Sequence, residues 1–485
     1  MYDIQETQNM LGTENIQNTE NIQDAQSVQD NSLQNNTLQD TQNVQDNILQ
    51  DNSLQDTQNV QDNTLQDNIL QDNTLQDNIE NIEVHRKNVT VEGLSGLSNI
   101  GNTCYMNAVI QCLSATELLI TYFLRNHFHD HLYVNMFELA EIRKRKIKKM
   151  AIDEKVIITK QDMDNRYEKS LSHCFYLLIS KIWGENQNVH PTKFKKVIGY
   201  HNDNFKGYDQ CDSPDLLGTI FEVMDKELKS YDPFEVPIPE YLIDYEENIE
   251  KYKKQLLEEY DKCTIAKNYV NYIYENKDKS AILKYIKYEK YLSKNGTSII
   301  DKIFTNVFCT EFTCKNCGYL SQTIESFNML PLSICNSQDS ISLKSCLDND
   351  FNEKEVKEYT CSLCREKSGA NQKTFLWTTN NVIIIHLKRF ENNLRKISTL
   401  VDYPLEFSFD DYYYNKSMNT TSYQLYGVIN HSGILNGGHY TAFTKNPVND
   451  KWYEFNDAHI VHVPDEEIEK TVISEKGYIL FYKAK

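Results

Sequence analysis

Cys104 is the thiol of this chain best placed for nucleophilic chemistry. It ends the run Gly93-Leu-Ser-Gly-Leu-Ser-Asn-Ile-Gly-Asn-Thr-Cys104, a loop of small and polar residues that leads into an apolar-periodic stretch. A helix N-terminus presents unsatisfied N–H groups and the positive end of the helix dipole, and both favour the thiolate. Cys112, inside the same stretch, reads instead as a buried structural thiol. A thiolate needs a base, and His439 in Asn436-Gly-Gly-His-Tyr440 has the best setting among twelve histidines. Paired glycines permit unusual backbone and leave room beside the ring. His431 in Asn-His-Ser-Gly433 is its rival. Downstream, a side-chain oxygen of Asn456 or of Asp457 can hold the imidazole in the tautomer that accepts the thiol proton. Cys early, His late and Asn/Asp after it is the chain order of cysteine-dependent acyl transfer on papain-like architectures.

Four more cysteines point to a metal. Cys314-Lys-Asn-Cys317 and Cys361-Ser-Leu-Cys364 form two C-x2-C pairs with 43 residues between them. Four thiolates satisfy tetrahedral zinc in a closed structural site. All twelve cysteines lie at or beyond Cys104, in a chain whose N-terminus lacks a basic and apolar leader pattern. Reduced thiols and metal ligands are therefore expected rather than disulfides. The long spacer predicts a clip between two hairpins of a larger domain, not a small zinc module.

The elements that must position these groups are partly readable. Asn107 to Leu124 and Phe175 to Trp183 carry helical periodicity. Val382-Ile-Ile-Ile-His-Leu387, Tyr423 to Ile429 and Tyr478 to Tyr482 are apolar, β-branched or aromatic runs that predict buried strands. Tyr440–Phe443 and Lys451–Phe455 are expected to pair through the loop at 446–450. Helices first and a mostly antiparallel sheet after them is an α+β arrangement. Residues 126–170 and 238–297 look inserted. The first holds the basic run Arg143-Lys-Arg-Lys-Ile-Lys-Lys149, readable as a nuclear-import signal or as a solvated helix face. The second is rich in Glu, Lys and Tyr and reads as mobile or surface helices, with Ile282, Tyr285 and Ile286 on one face.

The formal charge of the 485-residue chain is −20. Residues 1–83 hold sixteen acidic residues and no Lys or Arg, so they account for −16 and leave the rest nearly neutral. From Asn36 that segment repeats five- and six-residue units such as NTLQD and TQNVQD. One aliphatic per unit scatters around a helix and fails strand alternation, so a disordered Asn/Gln/Asp-rich tail over 1–90 is expected. An acidic chain is a poor ligand for nucleic acid or anionic membranes. No run of about 18 apolar residues is present to span a bilayer. A monomer in the cytoplasm, the nucleus or both is the expectation.

The motifs together resemble the ubiquitin-specific protease family. Gly96-Leu-Ser-Asn-Ile-Gly-Asn-Thr-Cys-Tyr-Met-Asn107 is similar to its Cys box. The stretch from Tyr423 through Asn430-His-Ser-Gly433, Gly437-Gly-His-Tyr-Thr441, Trp452-Tyr-Glu-Phe-Asn-Asp457 and Gly477-Tyr-Ile-Leu-Phe-Tyr482 is similar to its His box. Phe205-Lys-Gly-Tyr-Asp-Gln-Cys-Asp212 resembles its Gln-Asp box, and Ile384 to Phe390 with Lys396-Ile397 its central strand motif. The resemblance covers roughly 93–484, so residues 91–485 are assigned as one catalytic domain with two insertions. It implies a papain-like hand of fingers, palm and thumb with zinc at the fingertips, and isopeptide or peptide hydrolysis after the C-terminal glycine of ubiquitin. By position it implies Cys104 as nucleophile, His439 as general base, Asn456 in the third triad place with Asp457 beside it, and Asn99 as oxyanion donor. It places Gln210 and Asp212 on the substrate side, Asp212 against the basic ubiquitin tail, and a narrow channel beside Gly438. The family commonly has Ala-His-Glu after that aspartate; here Ser213-Pro-Asp215 follows, and Pro is tolerated in a first helical turn. The contrasting reading is a ubiquitin-binding scaffold without catalysis, against which the presence of Cys, His and Asn/Asp together argues.

Overall fold

The stretch after Cys104 is apolar on every side, which suits a helix buried all round. In the computed structural model, which describes residues 92–149, 156–184, 187–231, 234–335, 339–390, 395–415, 422–434 and 437–485, helix α1 (Cys104–Ser114) is buried along its whole length. The tail assigned to 1–90 lies outside the described residues. The single helix expected over 107–124 is two: α2 (Glu117–Leu124) departs from α1 at 84°. Thr116 is extended, and its hydroxyl bonds back to Cys112 O at 3.1 Å and to the Tyr426 hydroxyl at 2.8 Å. The corner is thus pinned to the sheet. Among the described residues no single helix is long and apolar enough to cross a membrane.

Helices α3 (Phe128–Lys148), α4 (Lys160–Tyr167), α5 (Leu171–Gly184), α6 (Thr192–His201) and α7 (Ser213–Glu227) complete the thumb. The basic run forms the last turns of α3, where Lys144 pairs with Asp162 at 2.6 Å and Arg145 with Glu141 at 2.7 Å. Pro214 sits in the first turn of α7, where its missing N–H costs nothing. The second inserted stretch is α8 (Glu240–Glu258), α9 (Lys262–Glu275) and α10 (Lys277–Asn295), followed by α11 (Ile299–Phe304). These are helices, as expected, and they dock on the finger region through one face: Tyr245, Ile249, Tyr269, Ile273 and Leu283 form a small core with Leu320. Ile286 is buried, and the Tyr285 ring lies 5.4 Å from that of Trp377.

Strands β1 (Asn306–Cys314), β2 (Leu320–Phe327), β5 (Lys354–Val356) and β6 (Ala370–Thr378) make an antiparallel finger sheet in the order β2-β1-β6-β5. The palm uses β3 (Leu330–Ser333), β7 (Val382–Lys388), β10 (Ser422–Ile434), β11 (Gly437–Lys445), β12 (Trp452–Asn456), β13 (His459–Val463) and β14 (Gly477–Ala484), ordered β13-β12-β11-β10-β14-β7-β3; β9 (Glu406–Ser408) pairs with β10, and β4 (Ser340–Ser342) with β8 (Leu400–Asp402). The expected hairpin is present, with Ala442 opposite Phe455 and Lys445 opposite Trp452. Both faces of this sheet are covered. Val382 and Ile384 face the thumb core, whereas Ile383, Ile385 and Leu387 face a second core that includes α12 (Leu343–Phe351). A strand buried on both faces reads as an unbroken apolar run, which is why β7 was legible. The result is the expected α+β hand.

Three histidines, His431 fully buried and His173 and His386 half-buried, are held well below their ordinary value, at about 4, chiefly by desolvation. Neighbouring lysines add to the effect. Each is neutral when folded and takes up a proton on unfolding below about pH 6.5, so each stabilises fully above that pH and loses its contribution as pH falls toward 4. The loss is ~3 kcal/mol per group at the end of that window. Urea titrations at pH 7.5 and 4.5 are expected to show a sharp drop in stability, and a flat profile would contradict the burial of these rings.

Candidate active site

Cys104 opens α1 because the preceding loop turns sharply. Gly101 has φ 116° and Asn102 φ 51°, both in the left-handed region. The loop is tied down on two sides, by Leu97 N–H to Asp457 O and by Ser98 N–H to Val189 O, each 2.9 Å. Cys104 is only 3% exposed. Burial raises its thiol above the ordinary value and the Asp457 charge adds to this, while the backbone N–H groups of Tyr440 and Tyr105 pull the other way. Desolvation thus outweighs the backbone N–H groups at the helix start. A base is needed.

Strand β11 (Gly437–Lys445) runs beside this thiol. The N–H of Tyr440 faces the Cys104 sulfur, so His439 lies next to it on the same strand. His439 is exposed, and its Nε2 lies 2.8 Å from Asn456 Oδ1. A carboxamide oxygen only accepts, so Nε2 carries the hydrogen and Nδ1 keeps its lone pair. Asp457 is engaged elsewhere. Its φ of 51° turns the carboxylate back toward the loop, where Oδ2 accepts from Asn99 Nδ2 at 3.0 Å and Oδ1 from Asn107 Nδ2 at 2.7 Å. Of the two candidates, Asn456 contacts the His439 ring and Asp457 contacts the loop of Asn99.

Gln210, Asp212 and Gly438 join the thumb to the palm. Gly438 N–H donates to Gln210 Oε1 at 2.7 Å. The hydroxyls of Tyr440 and Tyr478 donate to the two oxygens of Asp212, each at 2.8 Å. Burial raises the Asp212 carboxyl despite these two donors. His431 is fully buried against the rings of Tyr440, Phe390 and Tyr478, and neither ring nitrogen has a partner among the described residues. It is enclosed behind the strand, unlike His439. A side chain on Gly438 would overlap His431 Nε2 and come within 2.8 Å of Ser432 O. Gly438→Ala is therefore expected to cost about 2 kcal/mol of stability through overpacking. Because it displaces the strand next to His439, it is also expected to lower turnover at least tenfold. A thermal melt and an activity assay on one preparation check both effects.

The four cysteines of the two pairs converge at the fingertips, with all sulfurs within 4.8 Å of one another. Cys314 and Cys364 are 3.8 Å apart and Cys317 and Cys361 3.7 Å. Sulfurs at about 2.3 Å from a tetrahedral ion stand about 3.8 Å from each other, so the donor set fits zinc in size and chemistry. Ser368 Oγ lies 3.5 Å from Cys314 Sγ, and Asn316 Nδ2 donates to Cys364 Sγ at 3.6 Å. Such outer donors steady the thiolates.

Residues that sequence reasoning assigned no role also belong to the site: Asn107, Tyr440, Tyr478 and Lys396, whose Nζ donates to His431 O at 2.6 Å. Each lies within a quoted motif, but only the fold reveals its partner.

A family model described as ubiquitin carboxyl-terminal hydrolase matches residues 95–482. A probable ubiquitin carboxyl-terminal hydrolase of Acanthamoeba polyphaga mimivirus is 28% identical over 448 residues, which cover 84% of this chain and 94% of that protein. Ubiquitin carboxyl-terminal hydrolase 2 of Rattus norvegicus is 28% identical over 404 residues, 81% of this chain and 54% of the rat protein. The chain thus spans about half of that relative's length. Among solved structures, the yeast SAGA DUB module is similar at a TM-score of 0.53 and 21% identity, covering 81% of this chain and 69% of the matched one. A SAGA DUB module bound to monoubiquitin matches at 0.53 and 20%, covering 86% and 76%.

Proposed function

The chain belongs to the ubiquitin carboxyl-terminal hydrolase family, and we propose that it is a cysteine deubiquitinase acting through Cys104. The observation that carries this reading is the Asn456–His439 hydrogen bond, which leaves Nδ1 as the basic nitrogen on the strand that faces the Cys104 sulfur. His439 Nδ1 takes the thiol proton as sulfur attacks the carbonyl carbon of the C-terminal glycine of ubiquitin. The oxyanion forms within reach of Asn99, and a placed amide donor there is worth on the order of 3 kcal/mol. His439 then gives its proton to the departing amine. Water, deprotonated by the same ring, hydrolyses the thioester and restores the thiol.

The catalytic domain is assigned to residues 91–485, its partners are ubiquitin and ubiquitinated proteins, and it works as a monomer in the cytoplasm or nucleus. Asp212 meets the basic ubiquitin tail, exchanging at least one tyrosine hydroxyl for it, and Gln210 and Gly438 border the channel. Cys314, Cys317, Cys361 and Cys364 hold structural zinc. The test is hydrolysis of ubiquitin carrying a C-terminal fluorophore by the full chain. Steady turnover is expected. Ubiquitin binding without turnover would replace this reading with the scaffold.

A further inference from the structure

Asn107 lies one turn after Cys104 on α1, is 2% exposed, and is surrounded by an apolar core. Its Oδ1 is buried with no hydrogen-bond partner among the described residues. An amide that leaves its oxygen unsatisfied in a core costs stability relative to an apolar residue of the same size. What it provides in return is its NH2 group. Nδ2 donates to Asp457 Oδ1 at 2.7 Å and approaches Leu97 O at 3.2 Å and Ser98 O at 3.4 Å. All three acceptors bear on Asn99: two belong to the residues just before it, and Asp457 binds its amide directly.

The hydrogens of Asn99 can then be counted. Its Oδ1 accepts from the N–H groups of Gly101 and Thr103, at 3.2 and 3.1 Å. One Nδ2 hydrogen goes to Asp457 Oδ2. An amide NH2 has two hydrogens, so one is left for an oxyanion. Asp457 can fix this orientation because a carboxylate only accepts and so admits only the NH2 end of each asparagine. The arrangement carries a disadvantage, since the Asp457 charge raises the Cys104 thiol.

We propose that Asn107 is a positioning residue for the oxyanion donor, holding the Asp457 carboxylate so that Asn99 presents its remaining amide hydrogen to the reacting carbonyl. The inference rests on the hydrolase reading above and adds a role that neither triad nor substrate contact requires.

The test uses the full chain and its Asn107→Ala variant. Turnover of ubiquitin–fluorophore is expected to fall at least thirtyfold in kcat with KM within threefold. Affinity for ubiquitin C-terminal aldehyde, whose adduct on the thiol resembles the tetrahedral intermediate, is expected to fall in parallel, while affinity for ubiquitin itself stays within threefold. Alkylation of Cys104 by iodoacetamide should keep its rate, since the thiol is not touched. Asp457→Asn should lower kcat similarly but speed alkylation near neutral pH, because a charge that opposes the thiolate is gone. The double variant should be no slower than the worse single. Asn107→Ser replaces the alanine variant if that does not fold. Equal loss of aldehyde and ubiquitin affinity, kcat within threefold of the unaltered chain, or multiplying effects in the double variant would overturn the proposal. No turnover by the unaltered chain would instead remove the hydrolase reading beneath it.

Discussion

Cys104→Ala is expected to abolish measurable turnover of ubiquitin conjugates, a loss of roughly 10⁴-fold or more, with ubiquitin affinity within about threefold. The substitution removes one sulfur from a buried position and costs about 1 kcal/mol of packing, so the folded hand should persist. His439→Ala is the companion. The ring is exposed, so stability should be unaffected, yet the buried thiol would lose its proton acceptor. The pH response distinguishes this mechanism from a thiolate stabilised by the helix alone. Because burial raises the Cys104 thiol, iodoacetamide alkylation of the His439→Ala variant should be slow at neutral pH and rise through an alkaline midpoint above the ordinary thiol value. Rapid alkylation of that variant at pH 7 would show that the helix terminus and the Tyr440 N–H suffice, and would reduce His439 to an acid for the leaving amine.

The parts of this site that were legible in the sequence depend on local pattern. Cys104 was marked by its loop-to-helix junction, β7 by its unbroken apolar run and the four-cysteine cluster by its two C-x2-C pairs. What was not legible depends on partners far along the chain. The corner at Thr116 is set by Tyr426, 310 residues away. The task of Asp457 is set by Asn107 and Asn99, 350 and 358 residues away. The helix terminus at Cys104 was legible because it is local, whereas the desolvation that raises its thiol belongs to the whole fold. Helices α8–α10 were legible as surface helices, but the partners of their packed face were not. Their buried face mixes aliphatic residues such as Leu242, Ile249, Ile273, Leu283 and Ile286 with tyrosines, and the sequence does not show the ring-on-ring packing of Tyr245 with Tyr272 and Tyr252 with Tyr269.

Those helices also set the consequence of losing the metal. Tyr319, two residues after Cys317, packs against Tyr269 of α9 at 5.8 Å between ring centroids, and Leu363, between Cys361 and Cys364, packs against the same cluster. The inserted helices therefore rest on the loops that the four cysteines close. Thiolates 3.7–3.8 Å apart with no ion between them repel one another, and in the absence of metal at least some must be protonated. Cys361→Ser removes a fully buried ligand and is expected to lower bound zinc from one equivalent to well below one. At free zinc near a thousandfold above its dissociation constant, losing the site costs on the order of 4 kcal/mol of local stability. The fingertips and α9 should loosen first, since the cysteine loops carry Tyr319 and Leu363 into the core of α9. Limited proteolysis should then cut near Tyr260, the fully exposed residue between α8 and α9, while the thumb and palm stay protected and Cys104 still alkylates at its usual rate. Chelation of the unaltered chain should reproduce that pattern and added zinc reverse it. Full zinc retention by Cys361→Ser, or an unchanged cleavage pattern after complete removal of the metal, would show that the fingertips hold their shape without an ion.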